Sequence, residues 1–329
     1  MRKKFVTDDF GKRSLERLKS TSSHAIAGRI ARLERLELNT LTGDQIWQRL
    51  GRIMDGYFTK TVTLSTNTLY RARKLDAGIE VTNASELWYP PSKFVKQGRF
   101  NRSYEPVFYA TSVAGAALWE VRPSIGDRVM LAVCGTIEPV DHFKLAHIGL
   151  GKYDGSPLTF GGVPDLQSDD VFLENLESLG ILNKWLRIDR YLADLSLTDE
   201  AERPGLYNAT CEIGEKLTGI PDTLGLLYPS IATGMAALNV RLDAEAADSS
   251  LFVSEVWEFE ILKRFAELPG RPHSKPGFAL MSPIRRTSSI SPDGELNWAH
   301  QTSDTMQNDY DTVLKRITTN RIIRSQSAN

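Results

Sequence analysis

The chain has 329 residues, of which 41% are hydrophobic and 25% charged, an ordinary composition for a globular protein with a buried core. Lys and Arg number 40 against 41 Asp and Glu, so no overall charge draws the chain to nucleic acid or to an anionic membrane. Cys134 and Cys211 stand without metal-ligand spacing. No apolar run reaches the ~18 residues of a membrane span, and the first residues lack the apolar core of a signal peptide. We therefore expect a soluble, cytoplasmic protein that uses no metal.

The first ~60 residues predict two amphipathic helices joined by a short polar link, as a helical N-terminal extension. Ser22 and Ser23 are good caps for the first helix, and Thr42-Gly43-Asp44 opens a second helix that ends at Gly56. The apolar positions are Ile26, Ile30, Leu33 and Leu36, then Ile46, Trp47, Leu50, Ile53 and Met54. The arginines could contact DNA, but the charged outer face of any surface helix explains them better. We expect no direct nucleic-acid binding.

From Val62 onward, short runs rich in β-branched and aromatic residues predict strands. These runs contain Leu69, Val107-Phe108-Tyr109, residues 129–133 and residues 252–261. Residues 112–121 predict a helix, with Ser112 as its cap and Glu120 near its end. Further helices are predicted within 170–194 and over 207–217, after a Gly- and Pro-rich stretch at 149–165 that has the character of an insertion. The class is therefore α+β.

Three domains follow from these patterns: a helical extension over 1–61, a catalytic core over 62–264 and a C-terminal extension over 265–329. The last is rich in Pro and Ser and ends with the basic residues Lys315, Arg316, Arg321 and Arg324. Several enzyme motifs are absent from the whole sequence: the P-loop, Gly-x-Gly-x-x-Gly, His-Glu-x-x-His and Gly-x-Ser-x-Gly. Classical nucleotide folds, zinc hydrolases and serine hydrolases therefore lose support.

A set of short segments carries the remaining chemistry, in the order Tyr70-Arg71, Gly98-Arg99-Phe100-Asn101, Tyr109, Glu120, Tyr228-Pro229-Ser230 and Asn239. The order of these segments and the residues within them resemble those of the RES family, named for its Arg, Glu and Ser, over roughly residues 64–262. The resemblance implies an ADP-ribosyltransferase-like mixed β core with surrounding helices. It also implies that the protein consumes NAD⁺ as the toxin half of a toxin–antitoxin pair, with a small protein antitoxin as its partner.

The resemblance also implies roles for the catalytic residues Glu120, Arg71 and Ser230. Nicotinamide leaves NAD⁺ through an oxocarbenium-like state, and a carboxylate at Glu120 would stabilise the positive charge that develops on the ribose. Ser230 would fix the ribose or orient Glu120 by a hydrogen bond. Glu120 could equally be a solvated helix end, and Ser230 a turn residue after Pro229.

The expected NAD⁺-binding residues are Arg71, Arg99, Tyr109 and Asn101. Each arginine offers a planar fork of donors to the pyrophosphate, and Arg73 is a rival to Arg71 for that role. Tyr109 offers a flat face for the nicotinamide ring, although it could also be an ordinary core aromatic.

Three functions stay open at this point. The preferred one is an NAD⁺ glycohydrolase or phosphorolase that causes growth arrest. The others are an ADP-ribosyltransferase acting on a protein or nucleic acid, and a non-catalytic nucleic-acid-binding or interaction protein. The two extensions are candidates for dimerisation, antitoxin binding or target recognition, and homo-oligomerisation stays open.

Overall fold

The computed structural model describes residues 9–64, 67–138, 143–150, 167–220, 222–232, 237–264 and 279–298. These residues form a mixed α+β structure, in which nine strands make one open sheet and helices pack against it. The predicted α+β class is confirmed. None of the helices in the described residues has both the length and the apolar character that a bilayer crossing requires.

The α-helices of the described part are α1 (Asp9–Ser20), α2 (Ser23–Glu34), α3 (Gly43–Ile53), α4 (Ala114–Glu120), α5 (Gln167–Ser178), α6 (Leu182–Leu197), α7 (Leu206–Thr218) and α8 (Ala244–Ser250). The strands are β1 (Lys60–Thr63), β2 (Thr68–Lys74), β3 (Val107–Thr111), β4 (Arg128–Thr136), β5 (Lys144–His147), β6 (Gly225–Pro229), β7 (Leu238–Asp243), β8 (Leu251–Arg264) and β9 (Ala279–Thr287). Their order across the sheet is β1-β5-β6-β7-β3-β2-β4-β8-β9. Strands β5 and β6 are parallel, and the other neighbouring pairs are antiparallel.

The pairing between β2 and β3 is short compared with that of the strands on either side. The two strands share the single register pair Tyr70↔Thr111, whereas β2 pairs with β4 from Thr68 to Lys74. On the other side, β3 pairs with β7 along its whole length. The sheet therefore consists of two half-sheets, β1-β5-β6-β7-β3 and β2-β4-β8-β9. We call the junction at Tyr70 and Thr111 the seam.

Three apolar clusters fix the layers around the sheet. On one face, helices α2, α3, α6 and α7 pack over β5 and β6, with Trp185 and Leu226 fully buried. On the same face but across the seam, α4 packs over β2, β4 and β8 through residues such as Leu118 and Trp257. The opposite face carries a cluster that includes Phe108 and residues of α8. Side chains alternate between these faces along each strand, so strand register decides which residues can meet.

The N-terminal helical hairpin forms where the sequence predicts it. The Ser22 side chain accepts a hydrogen bond from Ala25 N, which caps α2. Thr42 and Gln45 form a reciprocal capping box at the start of α3. The structure adds α1, which the sequence analysis missed because this segment has few apolar residues. Leu18 anchors α1 in the core with no exposed surface.

The predicted strands within the core are confirmed as β2, β3, β4 and β8, and the helices predicted within 170–194 and over 207–217 appear as α5, α6 and α7. The prediction that Ser112 caps α4 is wrong. The cap position is Val113, which makes no side-chain capping bond, and its N–H donates to the Thr111 hydroxyl instead. Glu120 is the last residue of α4, as expected.

The segment assigned to a C-terminal extension contributes β9 to the sheet, where it pairs with β8. Its basic finish lies outside the described residues, as does most of the Gly- and Pro-rich stretch at 149–165. The domain boundaries stay a prediction.

Candidate active site

The site forms around the carboxylate of Glu120. Its Oε1 accepts a hydrogen bond from Ser230 Oγ at 2.5 Å and a second from Asn239 Nδ2 at 2.7 Å. Ser230 follows directly after β6, and Asn239 lies on β7 opposite Tyr228. Ser230 and Asn239 are buried, at 0% and 6% exposure. Two strand ends and a helix end, far apart in the chain, therefore converge on one oxygen.

The geometry fixes the orientation of the carboxylate. Because Oε1 receives both donors, it holds the group in place, and Oε2 makes no hydrogen bond to the described residues. A glutamate at the C-terminal end of a helix is disfavoured by the helix dipole. The hydroxyl of Ser230 and the amide of Asn239 offset this cost, since hydrogen bonds to a charged acceptor are stronger than neutral ones. The arrangement leaves Oε2 as the oxygen that can meet a ligand.

Asn239 did not enter the predicted site, although the motif order had already marked it. Its Nδ2 contacts Glu120, and its Oδ1 is buried without a hydrogen-bond partner among the described residues. A buried unpaired acceptor carries a free-energy cost and is usually explained by a function or a bound group. Asn239 therefore belongs with Glu120 and Ser230.

Arg99 precedes Phe100, whose ring centroid lies 4.7 Å from that of Tyr228, two residues before Ser230, and its guanidinium is partly committed to the protein. Its Nη1 donates to the carbonyl oxygens of Ser196 and of Thr198, the latter at 2.8 Å. These carbonyls stand at the C-terminal end of α6, where a cation satisfies the last helical acceptors. The guanidinium also lies 5.6 Å from the ring centroid of Tyr207. Arg99 thus ties its loop to α6 and α7 at the edge of the site.

Tyr109 and Asn101 brace the loop that carries Arg99. The Tyr109 hydroxyl donates to Asn101 Oδ1 at 3.0 Å and accepts from Phe100 N at 2.9 Å. Burial raises the pKa of this phenol well above its usual value. The Asn101 amide donates to two backbone carbonyls of the same loop. The polar atoms of both residues are therefore engaged within the protein, and a stacking role for Tyr109 stays a prediction.

Gly98 shows how tightly this loop is built. A Cβ atom at Gly98 would lie 2.5 Å from Asn101 Oδ1, a distance at which the two atoms would overlap. The Gly-Arg-Phe-Asn segment therefore requires glycine at its first position, so that the Asn101 side chain can fold back under the loop.

Arg71 is not brought to Glu120. Strand alternation directs its side chain to the face of the sheet that carries Phe108, whose ring centroid lies 5.3 Å from the guanidinium carbon. Its Nε donates to Leu87 O at 3.0 Å and its Nη1 to Tyr109 O at 2.9 Å. Burial lowers the pKa of this guanidinium to about 10. Arg71 fills the space where β2 and β3 diverge, next to the seam.

Arg73, the rival of Arg71, lies on the same face of β2 because the two residues are two positions apart. Its Nη1 donates to Glu86 O at 2.5 Å, and its side chain is exposed. The described contacts of Arg73 therefore tie it to a surface loop rather than to Glu120.

A second arginine, besides Arg99, adjoins the site and was not predicted. Arg122 follows α4 two residues after Glu120 and forms an ion pair with Asp199 at 2.7 Å. Asp199 raises the pKa of Arg122, and Tyr207 and Glu120 contribute in the same direction. Its closeness to Glu120 in the sequence was the signal that could have identified it.

Two open grooves of about 900 and 890 Å³ lie elsewhere, between α2 and α6. Both are lined by Ile30, Glu34, Tyr191 and Asp194, and neither includes Glu120. We place the candidate site at Glu120 because reactive groups converge there, whereas the grooves are defined by shape alone. In the described residues, no three His, Cys, Asp or Glu side chains converge as a metal site would require.

Comparison with known proteins adds no relative to this picture: no protein-family model matches the chain, and no curated protein matches it either.

Proposed function

We propose that this protein cleaves the bond between nicotinamide and ribose in NAD⁺, as a glycohydrolase or phosphorolase. The observation that carries the proposal is the contact of Glu120 with Ser230 and Asn239, which builds one oriented carboxylate from three separate elements. The order of the motifs, which resembles that of the RES family, supports it. On this proposal, the two half-sheets and their seam form an ADP-ribosyltransferase-like core.

The chemistry follows from the two oxygens of Glu120. As the bond breaks, its electron pair leaves with nicotinamide and positive charge develops on the ribose. Oε1 is held by Ser230 and Asn239, so Oε2 is the oxygen available to the ribose ring or its 2′-hydroxyl. The resulting attraction is stronger in the transition state than in the substrate, which is the condition for catalysis. Water or phosphate then adds to the ribose carbon.

The direct experiment is incubation of the purified protein with NAD⁺ alone. We expect nicotinamide to be released without a macromolecular partner, with ADP-ribose or its 1-phosphate as the second product. If the release of nicotinamide, or the transfer of labelled ADP-ribose, requires an added protein or nucleic acid, the protein is an ADP-ribosyltransferase. If neither occurs under any of these conditions, the enzymatic proposal is wrong.

The Ser230→Ala variant tests the role of the serine hydroxyl. It removes one of two donors to Glu120 Oε1 and leaves the bond from Asn239. A hydrogen bond to a charged group contributes ~1.5 kcal/mol or more, so we expect turnover to fall by roughly tenfold. Nicotinamide release at saturating NAD⁺ measures the effect. An unchanged rate would reduce Ser230 to a turn residue after Pro229.

We also propose that the reaction arrests growth and that a protein partner restrains it by covering the site near Arg99 and Glu120. Expression of the chain alone should therefore stop growth and lower cellular NAD⁺, and Glu120→Gln should relieve both effects. Growth and NAD⁺ are measured together after induction. Normal growth and normal NAD⁺ in cells that contain active, folded wild-type protein would contradict the toxin proposal.

A further inference from the structure

The backbone of Arg122 is unusual for an arginine. It has φ +47°, in the left-handed region, and its N–H donates to Trp119 O at 3.0 Å in the turn that ends α4. Helices often end with such a residue, but the position strongly favours glycine, which has no Cβ to clash. An arginine at this position accepts a conformational cost, and such a cost concentrates at functional sites.

The side chain of Arg122 is available to a ligand. Its side chain is 68% exposed and pairs with one carboxylate, Asp199, whose side chain is 27% exposed. The other Asp199 oxygen accepts a hydrogen bond from Ala201 N at 3.2 Å, so the carboxylate keeps its position. Exposed ion pairs of this kind contribute little net stability, and their partners are readily exchanged.

Arg122 also lies close in the chain, or through its partner Asp199, to the groups of the candidate site. The bond to Asp199 raises the pKa of Arg122, and the charge of Glu120 adds to that effect. The same bond lowers the pKa of Asp199, and the charge of Arg99 adds to it. Arg122 lies two residues after Glu120, and its partner Asp199 directly follows Thr198, whose carbonyl oxygen accepts a hydrogen bond from Arg99. By contrast, Arg71 donates Nε and Nη1 to backbone carbonyl oxygens, and Arg99 donates Nη1 to two of them.

We propose that Arg122 binds the pyrophosphate of the dinucleotide and that Asp199 competes with the pyrophosphate for the same guanidinium. This inference rests on the proposed NAD⁺ chemistry at Glu120. A pyrophosphate presents several anionic oxygens and can engage the fork of an arginine with two parallel hydrogen bonds. It therefore displaces the single bond to Asp199, and the carboxylate sets how tightly the dinucleotide binds.

Binding of ADP-ribose to the full-length protein, measured by calorimetry, tests this proposal. Arg122→Gly should weaken binding by at least about tenfold, because the charge-assisted contact is lost. Asp199→Asn should tighten it severalfold, since the competitor loses its charge while its bond from Ala201 N can persist. Glycine suits the left-handed backbone, so the melting temperature of Arg122→Gly should equal or exceed that of the wild type.

Two controls separate this effect from general changes in charge. Arg17 on α1 and Asp55 after α3 form an ion pair of similar exposure, 67% and 37%, among the N-terminal helices. Arg17→Ala and Asp55→Asn should leave ADP-ribose affinity unchanged. Nicotinamide riboside lacks a pyrophosphate, so its affinity should be the same in the wild type and in Arg122→Gly.

The proposal is overturned if folded Arg122→Gly binds ADP-ribose within twofold of the wild type, or if Asp199→Asn binds it more weakly. An equal loss for nicotinamide riboside would also overturn it. If these results occur while NAD⁺ turnover depends on Glu120, this inference alone fails. If the wild type neither turns over NAD⁺ nor binds ADP-ribose, the proposed function fails with it.

Discussion

Glu120→Gln is expected to lower the rate of NAD⁺ turnover by ~10²–10³ while leaving the fold intact. Glutamine keeps the size of the side chain and can still accept bonds from Ser230 and Asn239. It lacks the negative charge that stabilises the oxocarbenium-like state. The initial rate of nicotinamide release and the melting temperature, measured on the same preparation, separate catalysis from stability.

A matched control is available in Glu177→Gln. Glu177 lies in the last turn of α5, so the same chemical change is made at the same place in another helix, on an exposed side chain. This variant should retain wild-type turnover. Near-normal turnover in Glu120→Gln as well would remove Glu120 from the mechanism and with it the proposed reaction.

Arg71→Ala is expected to lower the stability of the protein more than it affects ligand binding or turnover. The change leaves the carbonyl oxygens of Leu87 and Tyr109 without their donors, at about 1–3 kcal/mol for each buried acceptor. It also removes the cation that lies against the Phe108 ring. We expect the melting temperature to fall by several degrees. Arg71→Lys should recover only part of the loss, because one ammonium cannot replace the planar fork.

The same variant tests the binding role that the sequence predicts for Arg71. That role requires ADP-ribose affinity to fall in the folded variant at a temperature well below its melting point. The contacts of Arg71 instead predict a large loss of stability and a small change in affinity. A variant with wild-type stability and strongly reduced affinity would show that Arg71 holds the ligand and that its carbonyl contacts are dispensable.

Local signals in the sequence were sufficient where the structure depends on neighbouring residues. Ser22 and Thr42 cap α2 and α3 because their hydroxyls reach N–H groups three residues away, a relation visible in the sequence. Strands β2, β3, β4 and β8 follow from runs of β-branched and aromatic residues. The contact of Ser230 with Glu120 was one of the two roles that the motif order predicts for this serine.

What local signals could not provide was the register of the sheet. The face on which Arg71 lies depends on how β2 pairs with β4, and the use of the Tyr109 hydroxyl depends on the folded loop around Asn101. Arg122 was overlooked for a related reason. Its position after Glu120 is visible in the sequence, but its backbone angle and its partner Asp199, distant in the chain, are not. Such relations arise only when the chain is folded.

The seam makes the geometry of the site depend on the alignment of the two half-sheets. Glu120 is carried by α4, which packs on the half-sheet of β2, β4 and β8, whereas Ser230 and Asn239 belong to the half-sheet of β6 and β7. The carboxylate and its two donors are therefore in register only while the two halves stay aligned. Any ligand that contacts both Glu120 and the β6–β7 side of the site would cross-link the two halves, so its binding and the alignment of the halves would form a single coupled equilibrium.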